Sequence, residues 1–127
     1  MDTSNEITPS KLSEMQQSLA PGNVILLKFS ADWCLPCKKI APICQEYIPK
    51  LPNTIFTFQI DIEESLELYA TLKKHKMVNG VPAMLAYFSG EKEHWYIADD
   101  AYLDNKPEGA IAFFERCIAH TKIYNKN

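Results

Sequence analysis

Two cysteines with two residues between them, Cys34 and Cys37, are the side chains whose type and spacing most directly permit chemistry. They lie in the stretch KFSADWCLPCKKIAP, residues 28–42. Two thiols at this spacing can close a small disulfide with little backbone movement, and that disulfide can form and reopen by thiol exchange. The same two thiols also fit half of a four-ligand zinc site, or two buried side chains without reactivity. Thiol exchange, metal binding and simple packing are therefore the three hypotheses to separate.

The residues around the pair favour a reactive thiol at Cys34. An apolar run of strand length ends just before the pair, and apolar residues recur at helical spacing after it, so we expect a helix to start there. The unpaired N–H groups and positive dipole end of a helix start stabilise a thiolate, which predicts a Cys34 pKa below the usual value of about 8.5. Pro36 fits the first turn because it has no N–H to lose. Cys37 is then placed to attack a mixed disulfide formed on Cys34.

The bulk composition narrows the class of protein. The chain has 127 residues, enough for one domain, and its 46% apolar and 23% charged content is typical of globular proteins. A net charge of −3 gives no basic field for nucleic acid, and no apolar run is long enough to span a membrane. We expect a single domain over residues 1–127. The N-terminal stretch lacks the basic start and apolar segment of a secretory signal, so we expect a cytoplasmic location. In a reducing compartment, close-spaced cysteines indicate redox or metal chemistry rather than a disulfide scaffold.

The hydrophobic pattern predicts alternating helices and strands. We expect a helix that is capped by Ser10 and runs to about Leu19. A strand over 23–31, buried on both faces, and a helix that starts at the cysteine pair and is kinked at Pro42 are expected next. The segments expected next are, in chain order, a second buried strand over 54–62, an amphipathic helix over 64–76, a two-stranded hairpin over 83–98, a polar loop over 99–109 and a last helix over 107–123.

Strand–helix alternation implies parallel strand pairs with right-handed crossovers, and the hairpin, turning at Ser89 and Gly90, adds an antiparallel edge. The predicted fold class is therefore α/β, a central mixed sheet of about five strands flanked by about four helices. Residues 1–6 and 121–127 are expected to be loose, with Glu6–Ile7 as a candidate short strand. The helix over 64–76 is expected to turn these residues inward: Leu66, Tyr69, Ala70 and Leu72.

The cysteine stretch and a second motif resemble the thioredoxin family. The family signature is W-C-G-P-C-K followed by a proline further along the helix, and it is matched in place by Trp33, Cys34, Pro36, Cys37, Lys38 and Pro42. The later stretch NGVPAM resembles the family segment Gly-Ile/Val-Pro-Thr, whose cis-proline faces the cysteines, and Pro82 corresponds to that proline. The order of elements matches from about Glu6 to His120. Two separate motifs at the family's distance are far more specific than a lone C-x-x-C.

The resemblance implies a thioredoxin fold and a protein-disulfide reductase. In the family pattern Cys34 is the attacking thiolate, Cys37 is the resolving thiol, and Val81 pairs its backbone with a bound substrate chain. The implied docking surface consists of Trp33, Leu35, Pro36, Gly80, Val81 and Pro82. No bound cofactor is implied beyond the redox-active Cys34–Cys37 disulfide, and no metal. The implied partners are disulfide-containing protein substrates and a thioredoxin-reductase-type electron donor, without nucleic acid or membrane, and the implied state is a monomer.

Three departures from the family pattern bear on the site. Lys28 stands where most members have a buried aspartate that assists proton transfer at the resolving cysteine. A charged Lys28 would favour the thiolate and raise the reduction potential, whereas a Lys28 that extends its amine to the surface would do neither. Leu35 replaces the usual glycine and is expected to alter the choice of partner more than the chemistry. The segment 97–109 is longer than usual, and three of its residues either line the groove near the cysteines or lie in a solvated loop: Asp99, Asp100 and Tyr102.

The sequence leaves other functions open. The chain could be a redox-inactive binding or scaffold module, which Lys28 and the long loop favour. It could also run the exchange in the oxidising direction, as a disulfide oxidase or isomerase, although Pro36 is the residue that reducing members have. A zinc site would need Cys117 and His120 as its second pair of ligands. Cys44 and Cys117 are each expected to pack as inert buried thiols.

Overall fold

Four strands and four α-helices make up the part of the chain that the computed structural model describes, residues 6–124. Their order confirms the predicted alternation. The bounds, in chain order, are α1 Pro9–Gln17, β1 Val24–Ser30, α2 Leu35–Tyr47, a 3₁₀ turn Ile48–Lys50, β2 Ile55–Asp61, α3 Leu66–Lys74, β3 Ala83–Phe88, β4 Asp100–Tyr102 and α4 Pro107–Tyr124. No helix in this part of the chain has both the length and the apolarity that a membrane crossing requires.

The strands form one mixed sheet in the order β2-β1-β3-β4. β1 pairs in parallel with β2 and antiparallel with β3, and β3 pairs antiparallel with β4. Leu27 at the centre of β1 lies opposite Phe58 of β2 and Leu85 of β3, which sets the register. The predicted α/β class with a mixed sheet is confirmed, with four strands in residues 6–124 in place of about five.

Helices cover both faces of the central strand β1, which confirms that its apolar run is buried on both sides. One face packs against α1 and α3 through Ile25, Leu27, Phe29, Leu12, Leu68 and Leu72. The other face packs against α2 and α4 through Val24, Leu26, Ile40, Cys44, Phe113 and Phe114. Since α2 follows β1 after four residues, this packing fixes the start of α2 at the carboxyl end of a strand that is buried on both faces.

β2 is not the fully buried strand that its apolar residues predicted. It lies at one edge of the sheet in the described part of the chain, and only Ile55 and Ile60 are buried. Phe56 remains 44% exposed. The apolar pattern of β2 resembles that of a central strand, but its burial depends on neighbours that the local sequence does not specify.

The predicted hairpin over 83–98 is wrong in its second half. β3 pairs instead with β4, a short strand inside the stretch expected to be a loop, with Met84 opposite Tyr102. Residues 91–98 form an irregular connection that packs on the α1 and α3 side of the sheet. Gln16 Nε2 of α1 donates to the carbonyl of Trp95 at 2.7 Å. The aromatic residues of this connection pack against the core without forming a strand. Tertiary contacts therefore override their strand propensity.

The inward face of α3 also differs from the prediction. Leu68 and Leu72 are buried, whereas Leu66 is 62% exposed and Ala70 is exposed. The helix begins at Leu66, so this residue lies in the first turn and outside the layer that contacts β1. Leu68 and Leu72 are one turn apart and carry the contact with the sheet.

The ends of the chain correct several boundaries. The helix α1 is capped by Thr8, whose Oγ1 accepts from the Lys11 N–H at 3.1 Å, and not by Ser10. Ile7 is buried but forms no strand, and its N–H donates to Ser65 Oγ at 3.0 Å. The helix α4 continues to Tyr124, so the expected loose tail is wrong for residues 121–124. The expectations for residues 1–5 and 125–127 lie outside the described residues.

Gly109 in the first turn of α4 makes a close approach that offers a stability test. A Cβ at this position would lie 2.7 Å from Cε1 of Tyr102, a side chain that is only 6% exposed. Alanine in place of glycine favours a helix by about 1 kcal/mol, but overpacking costs about 1–3 kcal/mol. We expect Gly109→Ala to lower the free energy of unfolding by about 1 kcal/mol in a urea titration. In a Tyr102→Ala background the same change should become neutral or stabilising, and an equal loss in both backgrounds would contradict the steric explanation.

Candidate active site

The two cysteines lie where β1 passes into α2, and they are joined in a disulfide. Their Cα atoms are 5.3 Å apart. Cys34 is the N-cap of α2, with φ −86° and ψ 106°, and its Sγ accepts from the Cys37 N–H at 3.1 Å. The sulfur of Cys34 therefore takes the place that a serine or aspartate oxygen usually fills at a helix start. A thiolate on this atom would receive the same N–H and face the positive end of a 13-residue helix.

The residues between and before the cysteines shape the entrance to the disulfide. Leu35 and Pro36 open the helix, as the sequence predicted, and the helix continues through Pro42. Leu35 is 70% exposed and Trp33 is 64% exposed, whereas Cys34 is 2% and Cys37 8% exposed. Two large apolar side chains thus stand in solvent beside a nearly covered disulfide.

Trp33 is held in place by an acidic residue that follows the neighbouring strand β2. Its indole Nε1–H donates to Glu63 Oε1 at 3.1 Å. Glu63 follows β2, in a turn in which its own N–H donates to Asp61 Oδ1 at 2.8 Å. The indole is therefore oriented by a hydrogen bond while its ring remains available for contact.

A second segment meets the cysteines from the start of β3. The Val81–Pro82 peptide bond is cis, and the carbonyl oxygen of Val81 lies 3.5 Å from Cys34 Sγ. Gly80 has φ +105°, a conformation that favours glycine, and its N–H donates to Tyr69 Oη at 2.8 Å. Tyr69 packs edge-on against Phe29 of the central strand, with ring centroids 5.8 Å apart. This chain of contacts fixes the backbone of residues 80–82 against the disulfide.

A groove runs past the disulfide and contains Cys34 but not Cys37 in its wall. Its lining residues are Trp33, Cys34, Leu35, Pro36, Ile62, Tyr69, Lys73, Gly80 and Val81. Every docking residue named from the sequence lies in this wall except Pro82, which is buried behind it. The sequence pattern does not identify Ile62 or Lys73 as groove residues, since it assigns Lys73 to a solvated helix end, and it assigns Tyr69 to the core. The spacing of Tyr69 and Lys73, one helical turn apart, was the available signal, but it does not say which surface their face meets.

The three acidic and aromatic residues of the long segment are not part of this groove. Asp99 Oδ2 accepts from the Phe88 N–H at 2.7 Å and pairs with Lys92 Nζ at 2.9 Å. Asp100 receives two hydrogen bonds from Arg116 of α4, at 2.8 and 3.0 Å. Tyr102 is buried beneath α4. These residues attach the β4 edge to the neighbouring helix and loop. The alternative that they line the groove near the cysteines is wrong, and the alternative of a solvated loop is wrong for Asp100 and Tyr102, which belong to β4.

Lys28 lies on β1, opposite Gln59 and Met84, and is half-buried. It shares a strand face with Leu26, which packs against α2 and α4. Its positive charge acts to lower the pKa of the Cys44 thiol on α2, against a larger rise caused by burial. The charge of Lys28 therefore acts on a thiol of α2, the helix that starts at the cysteine pair.

The other two cysteines are buried and free, on α2 and α4. Burial raises the pKa of the Cys44 thiol. Burial is also the main cause that raises the pKa of Cys117 to about 12, and the negative charge of Asp100 adds to it. Both thiols therefore stay protonated at neutral pH, where a thiol is a poor nucleophile. His120 stacks on Phe88 with ring centroids 3.7 Å apart. Within residues 6–124 no three or more His, Cys, Asp or Glu side chains gather into a group that could hold a metal ion.

Comparison with known proteins places this site in a family. The family model named Thioredoxin matches residues 6–104, which include both the cysteine pair and the Val81–Pro82 segment. The chain belongs to the thioredoxin family. The family assignment that the two sequence motifs predicted is confirmed.

Relatives within the thioredoxin family match different lengths of the chain. A thioredoxin H-type from Oryza sativa subsp. indica is 36% identical over 56 residues, 44% of this chain and 45% of that protein. A thioredoxin H-type from Populus jackii is 31% identical over 106 residues, 84% of this chain and 67% of that protein. The chain thus spans less than half the length of the first of these relatives.

Solved thioredoxins share the fold. The X-ray structure of Fasciola hepatica thioredoxin superposes with a TM-score of 0.64 and covers 86% of this chain and 93% of that one. The sequences are 20% identical, so the likeness establishes the thioredoxin fold alone. The predicted fold is confirmed, with the strand count corrected as above.

Proposed function

We propose that the chain reduces disulfides in protein substrates through a dithiol–disulfide cycle of Cys34 and Cys37. The single observation that carries this proposal is the position of Cys34: its Sγ caps α2, accepts the Cys37 N–H at 3.1 Å and lies in the wall of a groove. Membership of the thioredoxin family supports thiol–disulfide exchange as the general chemistry. The direction of exchange and the class of substrate are the parts that we propose.

The cycle starts with the reduced pair. The Cys34 thiolate attacks one sulfur of a substrate disulfide, so that a Cys34–substrate bond forms, the substrate S–S bond breaks and one substrate thiolate leaves. The Cys37 thiolate then attacks Cys34 Sγ, which forms the Cys34–Cys37 disulfide and releases the second substrate thiolate. Two electrons pass from the protein dithiol to the substrate, and the two substrate sulfurs take up protons according to their own pKa values.

The groove supplies the docking surface for this reaction. Trp33 and Leu35 offer exposed apolar area on one side of Cys34, and Gly80 and Val81 offer fixed backbone on the other. An extended substrate strand can form main-chain hydrogen bonds with such a backbone segment while its side chains contact the apolar residues. Pro82 is buried and follows Val81 through the cis peptide bond.

Turnover needs a source of electrons. We propose a thioredoxin-reductase-type donor that returns the disulfide to the dithiol, with no cofactor bound to this chain and a monomeric protein as the working unit. A dithiol of this kind acts as a reductant where thiol buffers keep it reduced, as they do in a cytoplasm.

Counting thiols after a single turnover tests the function. The fully reduced protein is mixed with a peptide disulfide, free thiols are alkylated, and the alkylated positions are read by mass spectrometry. We expect one peptide disulfide to be reduced per protein. Cys34 and Cys37 should be protected from alkylation, whereas Cys44 and Cys117 should still be alkylated when the protein is unfolded for labelling. Loss of label at any other pair, or a peptide that stays oxidised, would contradict the proposal.

Lys28 offers a test of how the site is tuned. Cys37, Ile40 and Cys44 follow one face of α2, and the charge of Lys28 reaches Cys44 on that face. We propose that the same charge favours the thiolate form of the active-site pair and so raises its reduction potential. Lys28→Met is expected to make the potential more negative by about 10–30 mV, equal to about 0.5–1.4 kcal/mol for this two-electron couple.

The potential of Lys28→Met is measured by equilibration with thiol buffers. Lys50→Met is the matched control, because Lys50 is exposed in the turn after α2. Its substitution removes the same charge at a position away from the disulfide. An identical potential for the wild type and Lys28→Met would mean that solvent screens the amine, as in the alternative that the sequence left open.

A further inference from the structure

The groove beside Cys34 continues onto α3, where Tyr69 and Lys73 line it. They are four residues apart, so they lie on the same face of the helix, one turn from each other. Leu66 precedes Tyr69 by three residues on this face and is 62% exposed. Helix α3 therefore presents a surface to any chain that is docked at the disulfide.

Tyr69 fixes the geometry of this extension. Its hydroxyl accepts the Gly80 N–H at 2.8 Å, and its ring packs edge-on against Phe29. Since the Tyr69 side chain is held at both ends, the next turn of α3 has a fixed position relative to Val81 and the disulfide. The backbone of Lys73 is thus positioned by the packed part of the fold, and its exposed side chain extends from that point into the groove wall.

Lys73 is chemically different from the rest of the wall. The other lining residues in the described part of the chain carry no formal charge when the cysteines form a disulfide. Lys73 is exposed, and within residues 6–124 it forms no salt bridge. Its ammonium group is therefore available to a partner, in a groove whose other lining side chains carry no charge.

We propose that this groove selects extended peptide segments that carry an acidic side chain at a fixed distance from the attacked cysteine, with Lys73 as the residue that recognises it. This inference rests on the proposed function, because it names a class of substrate for the same site. The apolar residues Trp33 and Leu35 contact the part of the segment near the disulfide, and the carboxylate pairs with Lys73 beyond Tyr69. Charge complementarity of this kind affects the choice of partner more than the chemical step.

The expected effect is modest and measurable. An exposed ion pair between lysine and a carboxylate corresponds to about a two- to fivefold preference in a second-order rate constant. The preference should fade at high salt, because the Debye length falls to roughly 3 Å at 1 M salt. An apolar contact would keep its effect under the same conditions.

The test uses a panel of peptides with one disulfide each, in which a single glutamate is moved through the positions on either side of the attacked cysteine. Each peptide has a partner with glutamine in place of the glutamate. The measured quantity is the rate constant for oxidation of the reduced protein by each peptide, in which the peptide disulfide gains two electrons and the Cys34–Cys37 disulfide forms. The variants are Lys73→Gln and Lys73→Glu, with Lys74→Gln as the control, since Lys74 is exposed on the same helix but does not line the groove.

We expect one or two positions at which wild type and Lys74→Gln react about two to five times faster with the glutamate peptide. Lys73→Gln should show no preference there, and Lys73→Glu should prefer the glutamine peptide. Equal rates for every peptide pair with the wild type, or a glutamate preference that survives in Lys73→Glu, would overturn the role of Lys73. A wild-type protein that no peptide oxidises would instead overturn the proposed function, and with it this inference.

Discussion

Replacing Cys34 with serine is expected to abolish disulfide reduction, with a fall in the second-order rate constant of roughly 1,000-fold or more. A serine hydroxyl stays protonated near neutral pH and cannot form a disulfide, so neither the attack nor the mixed disulfide is possible. The hydroxyl can still accept the Cys37 N–H, as Cys34 Sγ does at 3.1 Å, so the start of α2 should remain intact. The rate of reduction of a peptide disulfide, with dithiothreitol as the electron source, measures the loss.

The matched control is Cys44→Ala, ten residues after Cys34 and on the helix that Cys34 caps. Cys44 is buried and free, and burial raises the pKa of its thiol, so its removal should leave the rate within about twofold while it lowers stability. Thermal unfolding of both variants separates lost chemistry from lost fold. Retention of activity by Cys34→Ser, or equal loss in the two variants, would contradict the assignment of Cys34 as the attacking group.

Replacing Cys37 with serine is expected to stop the reaction half-way. Cys34 can still attack the substrate, but no thiol remains to attack Cys34 Sγ, so the mixed disulfide should accumulate to nearly one per protein. Steady-state turnover should fall by roughly 100-fold or more, whereas the first attack should remain within about tenfold of the wild type.

Mass spectrometry of Cys37→Ser after exposure to a peptide disulfide measures this trapping. The expected product is the protein plus one half of the peptide, attached at Cys34 and released by dithiothreitol. The double variant Cys34→Ser with Cys37→Ser should carry no peptide. A Cys37→Ser protein that turns over at the wild-type rate, or forms no adduct, would show that Cys37 is not the resolving thiol.

Much of the site could be predicted because its chemistry is local. A helix start, a proline in its first turn and two cysteines within that turn are all specified by a few consecutive residues, and the structure has Cys34 as the helix cap. The second segment, around Pro82, could be placed beside them only through resemblance to a family. No local rule brings the Val81 carbonyl to 3.5 Å from Cys34 Sγ across 47 residues of sequence.

The errors fall where tertiary contacts decide between equivalent local choices. The residues around Trp95 have the composition of a strand, but a hydrogen bond from α1 and packing against the core hold them as an irregular connection. Three residues expected to be part of a loop, Asp100–Tyr102, form the edge strand instead. Lys73 could be assigned to a solvated helix end from the sequence, and only the packing of α3 places it in the groove.

A redox titration of the Cys34–Cys37 pair tests the proposed chemistry most directly. The protein is equilibrated with thiol–disulfide buffers of graded potential, and the oxidised fraction is followed through the fluorescence of Trp33, which adjoins the pair in sequence. We predict one reversible two-electron transition that is absent from Cys34→Ser and Cys37→Ser. A midpoint near the roughly −270 mV typical of thioredoxins would support a reductant, and one above about −200 mV an isomerase or oxidase. No reversible transition in the wild-type protein would contradict the dithiol–disulfide cycle and favour a binding module that keeps the thioredoxin fold.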